Sequence, residues 1–513
     1  MGAVVNEPLI VGSDDPGRPE EEEAVGGRDL TADGMEELLG KGDVGGFGGW
    51  LKMVGWESRV LWQLSGASIV VSLFTYMLSF ATLMFAGHLG TVQFAGASIS
   101  CVGIQGLAYG IMIGMASAVQ TVCGQAYGAK RYKAMGIICQ RAILLHLGAA
   151  FILTFIYLFS GPILKLMGQS DDIAQYGQVF ARGLIPQLYA FALSCPMQRF
   201  LQAQNIVNPL AYMAVGVFCM HFLLTWLVVY VLGYGLLALA LTLSFSWWVL
   251  VLINGLYIIL SPSCRETWTG FSVKAFSRIW PYFKLTVASA VMLCLEIWYC
   301  NGLVLISGLL PNPTLSLDSL SICMNYWNLD MNFMLGFCAA TSVRIGNELG
   351  AGHPRLARFA VIVVNSTSLV ISIFLCAIIL IFRVGLSKLF TSDATLIHAV
   401  SNLFPLLAIS VLLNGIQPVL SGVAIGSGWQ ALVAYVNLGS YYLIGLPLGC
   451  VLGFKTSLGV AGMWWGMIAG IFIQTVTLII LTIRTNWEAE VENAVARLKR
   501  STEDEKLELF DNI

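Results

Sequence analysis

The chain has 513 residues, of which 57% are hydrophobic and only 11% charged, with a mean hydropathy of +0.78 and a net charge of −2. A soluble domain usually carries about 25% charged residues, so this composition argues against a soluble protein and predicts that much of the surface faces lipid. The small net charge argues against nucleic acid as a partner, because no basic field is present to attract phosphates.

The first residues differ in kind from the rest, because they form an acidic, glycine-rich segment. The segment shows no apolar face, and such a composition is typical of disorder. It also has no basic stretch followed by an apolar one, so it is not a secretory signal. We predict a disordered cytosolic tail over residues 1–55, in which "EELL" at 36–39 resembles a dileucine sorting signal with imperfect spacing.

Twelve apolar segments follow, and each is long enough to cross a bilayer, which takes about 20 residues of helix. None alternates polar and apolar residues over about ten positions, so a β-barrel is not expected. The last residues are charged again and predict a short amphipathic helix. The predicted spans are 62–86, 94–122, 137–160, 175–198, 209–232, 236–260, 282–308, 318–341, 357–382, 398–423, 430–453 and 460–484.

Lysine and arginine are concentrated in the loops after spans 2, 4, 6 and 8. The positive-inside rule places these loops, and with them both chain termini, in the cytosol. The longest loop lies between the sixth and seventh spans and divides them equally. The predicted organisation is an N lobe over 56–260, a cytosolic interlobe loop over 261–281, a C lobe over 282–485 and a cytosolic tail over 486–513.

The two lobes repeat one another in sequence. "GQAYGA" begins at Gly124 and "GNELGA" at Gly346, 222 residues later; "PMQRFLQAQN" begins at Pro196 and "PVLSGVAIGS" at Pro418, again 222 residues later. Each copy contains an even number of spans, so both copies enter the membrane in the same direction. This parallel repeat predicts two lobes related by an axis along the membrane normal, which rock about a central cleft. The predicted fold is an all-α polytopic membrane protein with twelve transmembrane helices in two six-helix lobes.

The second copy of the glycine motif lies in a polar stretch, "SVRIGNELGAGHPRLAR" at 342–358. It does not match a phosphate-binding loop, which needs GxxxxGK[ST] between a strand and a helix. We predict a tight cytosolic turn whose glycines adopt positive φ or allow backbones to approach closely. The charged residues of this stretch are expected to form a cluster that latches the lobe: Arg344, Glu348, Arg355 and Arg358.

These motifs, with "CLEIWYCNGL" at 294–303 and the segment 421–449, resemble the plant branch of the MATE (multidrug and toxic compound extrusion) family, also called the DETOXIFICATION transporters. The likeness covers residues 60–485 and is greatest to plant members associated with flavonoids and vacuolar anions. It implies the twelve-helix MATE fold and cation-coupled export of organic compounds or their loading into the vacuole. Three positions depart from the family pattern: Ile425 stands where relatives commonly have Arg, Asn414 where many have Asp, and Ala67 where a Pro is frequent.

Two acidic residues lie near the middle of predicted spans, Glu296 in span 7 and Asp330 in span 8. A charge at mid-bilayer costs about 2.5–3.5 kcal/mol on insertion scales, so both side chains are expected to face the cleft or each other. A buried carboxyl that exchanges protons near neutral pH is what a proton-driven antiporter needs. We predict that both residues couple protons to transport. The alternative for Glu296 is a structural hydrogen bond to Asn301 or Trp298.

Polar side chains near these acids and in the N lobe are candidates for contact with a substrate, although such residues also serve as helix–helix contacts. The prolines of span 10 are expected to bend the helix and free carbonyls toward a cavity. His146 and His221 have no second ligand at suitable spacing, so neither a metal site nor a cofactor is expected. The predicted substrate-binding residues are Tyr299, Asn301, Asn325, Asn332, Asn414 and Gln417 in the C lobe and Tyr76, Gln105 and Tyr109 in the N lobe.

The predicted function is a proton-coupled antiporter that exports flavonoid-type or other organic compounds from the cytosol into the vacuole by rocking alternating access. We expect a monomer in the vacuolar membrane, with protons, a small organic solute or anion, and the bilayer as partners. The sequence contains no Ser-His-Asp set and no nucleotide-binding motif, so an enzyme is not expected. The alternative on the same fold is a passive conductor of an anion such as chloride.

Overall fold

A computed structural model describes residues 31–41, 46–307, 310, 313–389 and 393–502. In these residues, ten helices are long and apolar enough to cross a membrane. Two further helical stretches complete the set of twelve predicted spans: 171–203, which is interrupted at Leu184, and the long helix Pro313–Ala351. The second is more polar because it carries Asp330, Arg344 and Glu348. Helices dominate because hydrocarbon offers no hydrogen-bond partners, so each backbone group must be satisfied within its own segment.

The first half of the chain forms the N lobe, preceded by a short helix, α1 (Ala32–Lys41). The helices are α2 (Gly46–Ala86), α3 (Thr91–Ile99), α4 (Gly106–Gly128), α5 (Tyr132–Leu158), α6 (Ser160–Leu166), α7 (Asp171–Gly183), α8 (Ile185–Ala203), α9 (Asn208–Trp226) and α10 (Leu236–Leu260). A π-helical segment, Ser100–Gln105, joins α3 and α4 into one continuous helix. Another such segment, Leu227–Val231, extends α9.

The second half forms the C lobe, which is followed by a helix outside the twelve spans. A π-helical segment, Leu438–Gly445, lies within its eleventh span. The helices are α11 (Ile279–Ser307), α12 (Pro313–Ala351), α13 (Pro354–Ile381), α14 (Arg383–Lys388), α15 (Ala394–Asn414), α16 (Gln417–Ser427), α17 (Gln430–Asn437), α18 (Leu446–Lys455), α19 (Val460–Arg484) and α20 (Trp487–Thr502). The last confirms the helix predicted for the charged C-terminal segment as far as Thr502, and residues 503–513 lie outside the described residues.

The first two spans of each lobe form the contact between the lobes, and each span packs on the non-equivalent span of the other lobe. Two copies related by an axis between them must pack in this way. α2 (span 1) packs on α12 (span 8), and α4 (span 2) packs on α11 (span 7); α4 also contacts α12. Each lobe retains its own apolar core, from Val71 to Ile258 in the N lobe and from Tyr299 to Ile471 in the C lobe; Tyr282 of α11 and Leu498 of α20 also join the N-lobe core. The contacts between the lobes are therefore additional to two separate cores, which suits two bodies that move relative to each other.

Proline interrupts one span in each lobe, but at different points. In the N lobe the interruption at Leu184 precedes Pro186, whereas Pro196 lies inside α8. In the C lobe Pro405 lies inside α15, and the helix breaks at Gly415–Ile416, just before Pro418. A proline at the start of a helix needs no N–H partner, so each break occurs where the proline is tolerated best. Of the two prolines in each span, only one marks a break.

The paired glycine motifs lie inside helices and pack against each other. Gly124 and Gly346 approach so closely that a Cβ on either would lie 3.6 Å from the Cα of the other. A Cβ on Gly128 would overlap the main-chain oxygen of Asn347, and one on Gly350 would overlap that of Gln125. The predicted close approach of backbones is thus confirmed. The predicted turn is wrong for the motifs themselves, because α4 continues to Gly128 and α12 to Ala351.

The turns instead follow the motifs. Gly352 adopts a φ of 86°, and in the N lobe Lys130 adopts a φ of 57°. The two loops that contain these residues, 129–131 and 352–353, lie on the same face of the molecule. We call it the basic face; α1 and α20 pack on the same face.

The predicted disorder of residues 1–55 is wrong for 32–41 and 46–55, which belong to α1 and α2; residues 1–30 and 42–45 lie outside the described residues. Ala32, Met35 and Leu38 are buried on α1, and Ala32 and Met35 share an apolar cluster with Leu356 and neighbouring residues of α13. A ten-residue helix is marginal alone and is stabilised by such tertiary contacts. "EELL" at 36–39 lies within this docked helix.

The glycine contact predicts that Gly350→Ala destabilises the protein. The new methyl group must displace the Gln125 carbonyl, and overpacking of this kind typically costs about 1–3 kcal/mol. Thermal unfolding of the purified protein in detergent should show a lower Tm.

Gly148→Ala is the matched control, because a Cβ there meets no atom within 4 Å. Since alanine favours helix by about 1 kcal/mol over glycine, this variant should unfold at the same temperature or higher. Equal Tm values for the two variants would contradict the role of the glycine contact.

Candidate functional site

A cavity of about 760 Å³ lies between the lobes. Its N-lobe wall comes from α2, α3, α4, α8 and α10, and its C-lobe wall from α11 and α12. The size matches that of drug-sized ligand sites, about 300–1,000 Å³. Six of the predicted substrate-binding residues line this cavity: Tyr76, Gln105, Tyr109, Asn301, Asn325 and Asn332.

The C-lobe wall carries a polar stripe along α12. Ser321, Asn325, Asn328 and Asn332 recur every three or four residues and all line the cavity. Asn325 and Asn332 each donate from Nδ2 to the carbonyl four residues earlier, at 2.9 and 2.8 Å. These bonds orient the side chains, and each amide also has a second N–H and an acceptor oxygen. Ser321 and Asn328 were missed in the sequence, although the helical period of "SICMNYWNLDMN" contains the signal.

The N-lobe wall carries several aromatic rings. Tyr76 stacks on Phe80 with ring centroids 6.1 Å apart, and Tyr109 packs against Phe191 at 5.4 Å. Trp247 meets Phe191 edge to face at 4.4 Å. Phe191 and Trp247 were not among the predicted site residues, because aromatic residues in a membrane helix usually contact lipid or core. In the described residues, no charged side chain lines the cavity.

Gln105 occupies the end of the π-helical segment between α3 and α4. Its Nε2 donates to Gln187 Oε1 at 2.9 Å and lies 3.4 Å from Ser79 Oγ. π-Helical turns shift the register of the residues that follow and often occur at functional sites. This turn brings a buried amide to the cavity wall of the N lobe.

Neither acidic residue lines the cavity. Gln417 Nε2 donates to Glu296 Oε1 at 2.9 Å, and Asn414 Nδ2 donates to Asp330 Oδ2 at 3.0 Å. The two amides flank the break at Gly415–Ile416. Both carboxyl groups therefore accept a hydrogen bond from a residue next to the same interruption of span 10. The expectation that the acids face the cleft or each other is wrong here, because each carboxyl group accepts its hydrogen bond from an amide of span 10 and neither lines the cavity.

Each carboxyl group uses only one of its oxygens in this way. Among the residues that the structure describes, Glu296 Oε2 and Asp330 Oδ1 are buried without a hydrogen-bond partner. Burial of an unpartnered carboxylate oxygen is costly, and a proton on the group removes its charge. The arrangement therefore suits groups that alternate between protonated and ionised states.

Tyr299 lies in the core of the C lobe and not at the cavity. Its hydroxyl donates to the main-chain oxygen of Gly466 at 3.0 Å, and its ring stacks on Tyr441 with centroids 4.6 Å apart. It is about 1% exposed, so a solute in the cavity cannot reach it. With Asn414 and Gln417, it is one of three predicted substrate residues that the structure places away from the cavity.

The cavity is closed toward the basic face by hydrogen bonds between the lobes. Gln120 Nε2 donates to Ala339 O at 2.8 Å, and Thr121 Oγ1 donates to Ile425 O at 2.6 Å. Gln125 of the first glycine motif donates from Nε2 to Gly426 O at 2.9 Å. The cavity wall instead extends along α2 as far as Gly87, at the opposite end of that helix. The structure is thus closed on the basic face.

A buried ion pair reinforces this closure. Arg344 of the C lobe donates from Nε and Nη2 to both carboxylate oxygens of Glu57 in the N lobe, at 2.8 Å each, and also pairs with Glu348. Such bidentate pairs add geometric specificity as well as energy. The predicted charge cluster is confirmed for Arg344 and Glu348, but its partner Glu57 was missed because it lies 287 residues away from Arg344, in the other lobe.

His353 connects this cluster to the N-terminal helix. Its Nδ1 lies 2.7 Å from Glu348 Oε2, and its Nε2 lies 2.8 Å from Asp33 Oδ1 of α1. Glu36 of α1 also accepts from Leu356 N at 2.7 Å, at the N-terminus of α13. The hydrogen bond to Glu348, aided by Asp33, raises the pKa of His353 above its usual value.

Comparison with known proteins identifies the fold and the family. A profile of the MatE family matches residues 67–227 and 288–451. The chain is 72% identical over 459 residues to Protein DETOXIFICATION 41 of Arabidopsis thaliana, covering 89% of this chain and 90% of that protein. This chain belongs to the MATE family. It is a transporter of the multidrug and toxic compound type.

Other relatives of this MATE transporter agree. Protein DETOXIFICATION 37 of Arabidopsis thaliana is 48% identical over 442 residues, with 86% of this chain and 88% of that protein covered. The crystal structure of the eukaryotic MATE transporter AtDTX14 superposes with a TM-score of 0.84 at 36% identity, covering 87% of this chain and 99% of that chain. The predicted twelve-helix MATE fold is confirmed.

The contacts of His353 predict that α1 docks more tightly at low pH. Protonated His353 binds both Glu348 and Asp33, so its contribution is complete below its ordinary pKa of about 6.5 and is lost as the pH rises through the raised value. Amide hydrogen exchange in 32–41, corrected for its intrinsic pH dependence, should be slower at about pH 6 than at about pH 8.

His353→Gln should abolish this difference between the two pH values. His398→Gln is the control, because His398 lies at the start of α15 and contacts Asn402 instead. A pH dependence that survives in His353→Gln would assign the effect to another group.

Proposed function

We propose that this MATE transporter is a proton-driven antiporter that moves amphipathic aromatic solutes, flavonoid-type compounds among them, from the cytosol into the vacuole by alternating access. The observation that carries the proposal is the attachment of two buried carboxyl groups to one break in span 10. The same two helices that bear these acids also form the C-lobe wall of the cavity.

The coupling follows from this shared placement. α11 bears Glu296 and, five residues later, the cavity residue Asn301; α12 bears Asp330 between the cavity residues Asn328 and Asn332. Protonation of either acid changes its hydrogen bond to span 10. The helix then moves relative to α15 and α16, and its cavity side chains move with it. Solute binding and proton binding thereby influence each other without sharing one pocket.

The cavity walls support an aromatic, hydroxyl-bearing solute. Rings such as Tyr76 and Phe191 offer stacked or edge-to-face contacts to a flat aromatic ligand. The amides of α12 opposite can both donate and accept hydrogen bonds. A charged solute would need a counter-charge, and none lines the cavity among the described residues. This combination favours uncharged planar compounds with several hydroxyl groups.

The closed basic face supports the direction of transport. The positive-inside prediction assigns this face to the cytosol, so the structure represents the state that releases solute on the far side and accepts protons there. A vacuolar lumen is acidic and supplies those protons. The return to a cytosol-facing state then requires the contacts between the glycine motifs to separate.

The second candidate is a passive anion conductor on the same fold. It is favoured by the position of both acids outside the cavity and by Asn414, where many relatives are expected to have an acid. In that case the N–H groups of the cavity amides would contact the anion, and the carboxyl groups would have only a structural role.

Glu296→Gln tests the proposed coupling. The amide keeps the shape of the side chain but cannot lose a proton, so uptake of a fluorescent flavonoid-type solute into vesicles should lose its dependence on the pH gradient. Uptake is measured with and without an acidic interior.

Glu492→Gln, at an exposed position on α20, serves as the control and should retain gradient-driven uptake. Gradient-driven uptake by Glu296→Gln at the wild-type rate would refute the proton role. Anion currents in the wild type that ignore an imposed pH gradient would support the passive conductor instead.

Asn332→Leu tests the cavity as the solute site. Loss of one neutral hydrogen bond costs about 0.5–1.5 kcal/mol, so the apparent KM should rise about 2- to 13-fold. Asn365→Leu is the matched control, because Asn365 lies on α13 and donates to Val361 O. A KM that is the same in both variants would place the solute elsewhere.

A further inference from the structure

The C-terminal helix α20 lies across both lobes on the basic face. Trp487 and Ala494 are buried in a cluster of C-lobe residues that includes Ile345 and Leu349 of α12. Leu498, one turn further along, is 2% exposed and belongs to the core of the N lobe. A helix outside the twelve spans is therefore anchored in each of the two bodies that must separate during transport.

Arg497 adds polar contacts to the apolar contacts that α20 makes with both lobes. Its Nη1 donates to Gln125 Oε1 in the N lobe at 2.8 Å, and its Nη2 donates to Ser427 O in the C lobe at 3.2 Å. Gln125 is the residue whose Nε2 donates across the lobes to Gly426 O. The guanidinium group thus fixes the orientation of the amide that makes an interlobe hydrogen bond.

The backbone next to this contact leaves room for the guanidinium group. Gly428 adopts a φ of 84°, and a Cβ there would overlap the guanidinium of Arg497. Any other residue would be strained by the left-handed conformation and would also displace the arginine. The sequence of the turn between α16 and α17 is therefore compatible with the docked helix.

We propose that α20 is a clasp that holds the basic face closed, and that Arg497 is the positioning residue that orients Gln125 within it. Opening of this face during transport then requires Arg497 to break its hydrogen bond to one of the two lobes and Leu498 to leave the N-lobe core. The inference rests on the proposed alternating access, but it concerns the stability of the closed contact and not the protons or the solute.

The test is amide hydrogen exchange, read by mass spectrometry, on the full chain carrying R497Q. Without the guanidinium group, the segments 120–128 and 342–350 should exchange about tenfold faster, which corresponds to about 1.4 kcal/mol. L498A should act in the same direction, because it weakens the anchor in the N lobe without altering Gln125.

K499Q is the matched control, because Lys499 is an exposed cation on the same helix, and exchange in both segments should equal that of the wild type. R497K should be intermediate, since lysine keeps the charge but lacks the planar fork. Wild-type exchange in both segments of R497Q, or an equal increase in K499Q, would overturn the proposal. The readout needs no transport, so a failure of the proton coupling would leave it unaffected.

Discussion

The close contact between the two glycine motifs is the constraint on which the other features depend. Where Gly124 meets Gly346, no side chain separates α4 from α12, so polar side chains of α4 reach main-chain carbonyls of the C lobe. The bonds from Gln120, Thr121 and Gln125 all end on such carbonyls. Because the lobes touch at this end, they diverge toward the other, and the cavity occupies the space between them.

Polar groups in the membrane region are distributed unequally between the lobes. The N lobe supplies all the aromatic rings that line the cavity, whereas the C lobe supplies the asparagine amides, and its two acids lie outside the cavity lining. Buried polar groups in hydrocarbon need partners, and the broken helix of span 10 supplies them through Asn414 and Gln417. Interruption of a helix is tolerated at membrane depth where the backbone is surrounded by protein. The break in span 10 therefore supplies the amide partners that the two buried acids need.

Much of the fold was predictable, because twelve apolar segments and one 222-residue offset determine both the spans and their parallel repeat. The site was predictable only in part. Residues such as Asn325 and Asn332 stand out as polar in an apolar helix, whereas Phe191 and Trp247 resemble any core aromatic. Tyr299 was predicted as a site residue and lies three residues from Glu296, but the sequence could not show which neighbouring helix its side chain faces. The docking of α1 depends on partners some 320 residues away, such as Glu36 with Leu356, which no local pattern reveals.

The helices α1 and α20 add further contacts to the closed interface between the lobes. α1 binds His353, which joins Glu348 and, through Arg344, Glu57 of the N lobe; α20 binds Gln125. Two helices outside the membrane spans thus attach to the two sides of one closed interface. A lobe contact made only of glycine faces and a few carbonyl bonds would open at small cost. The added ionic and apolar anchors raise the stability of the closed state, so the two lobes separate on this face only against a defined barrier.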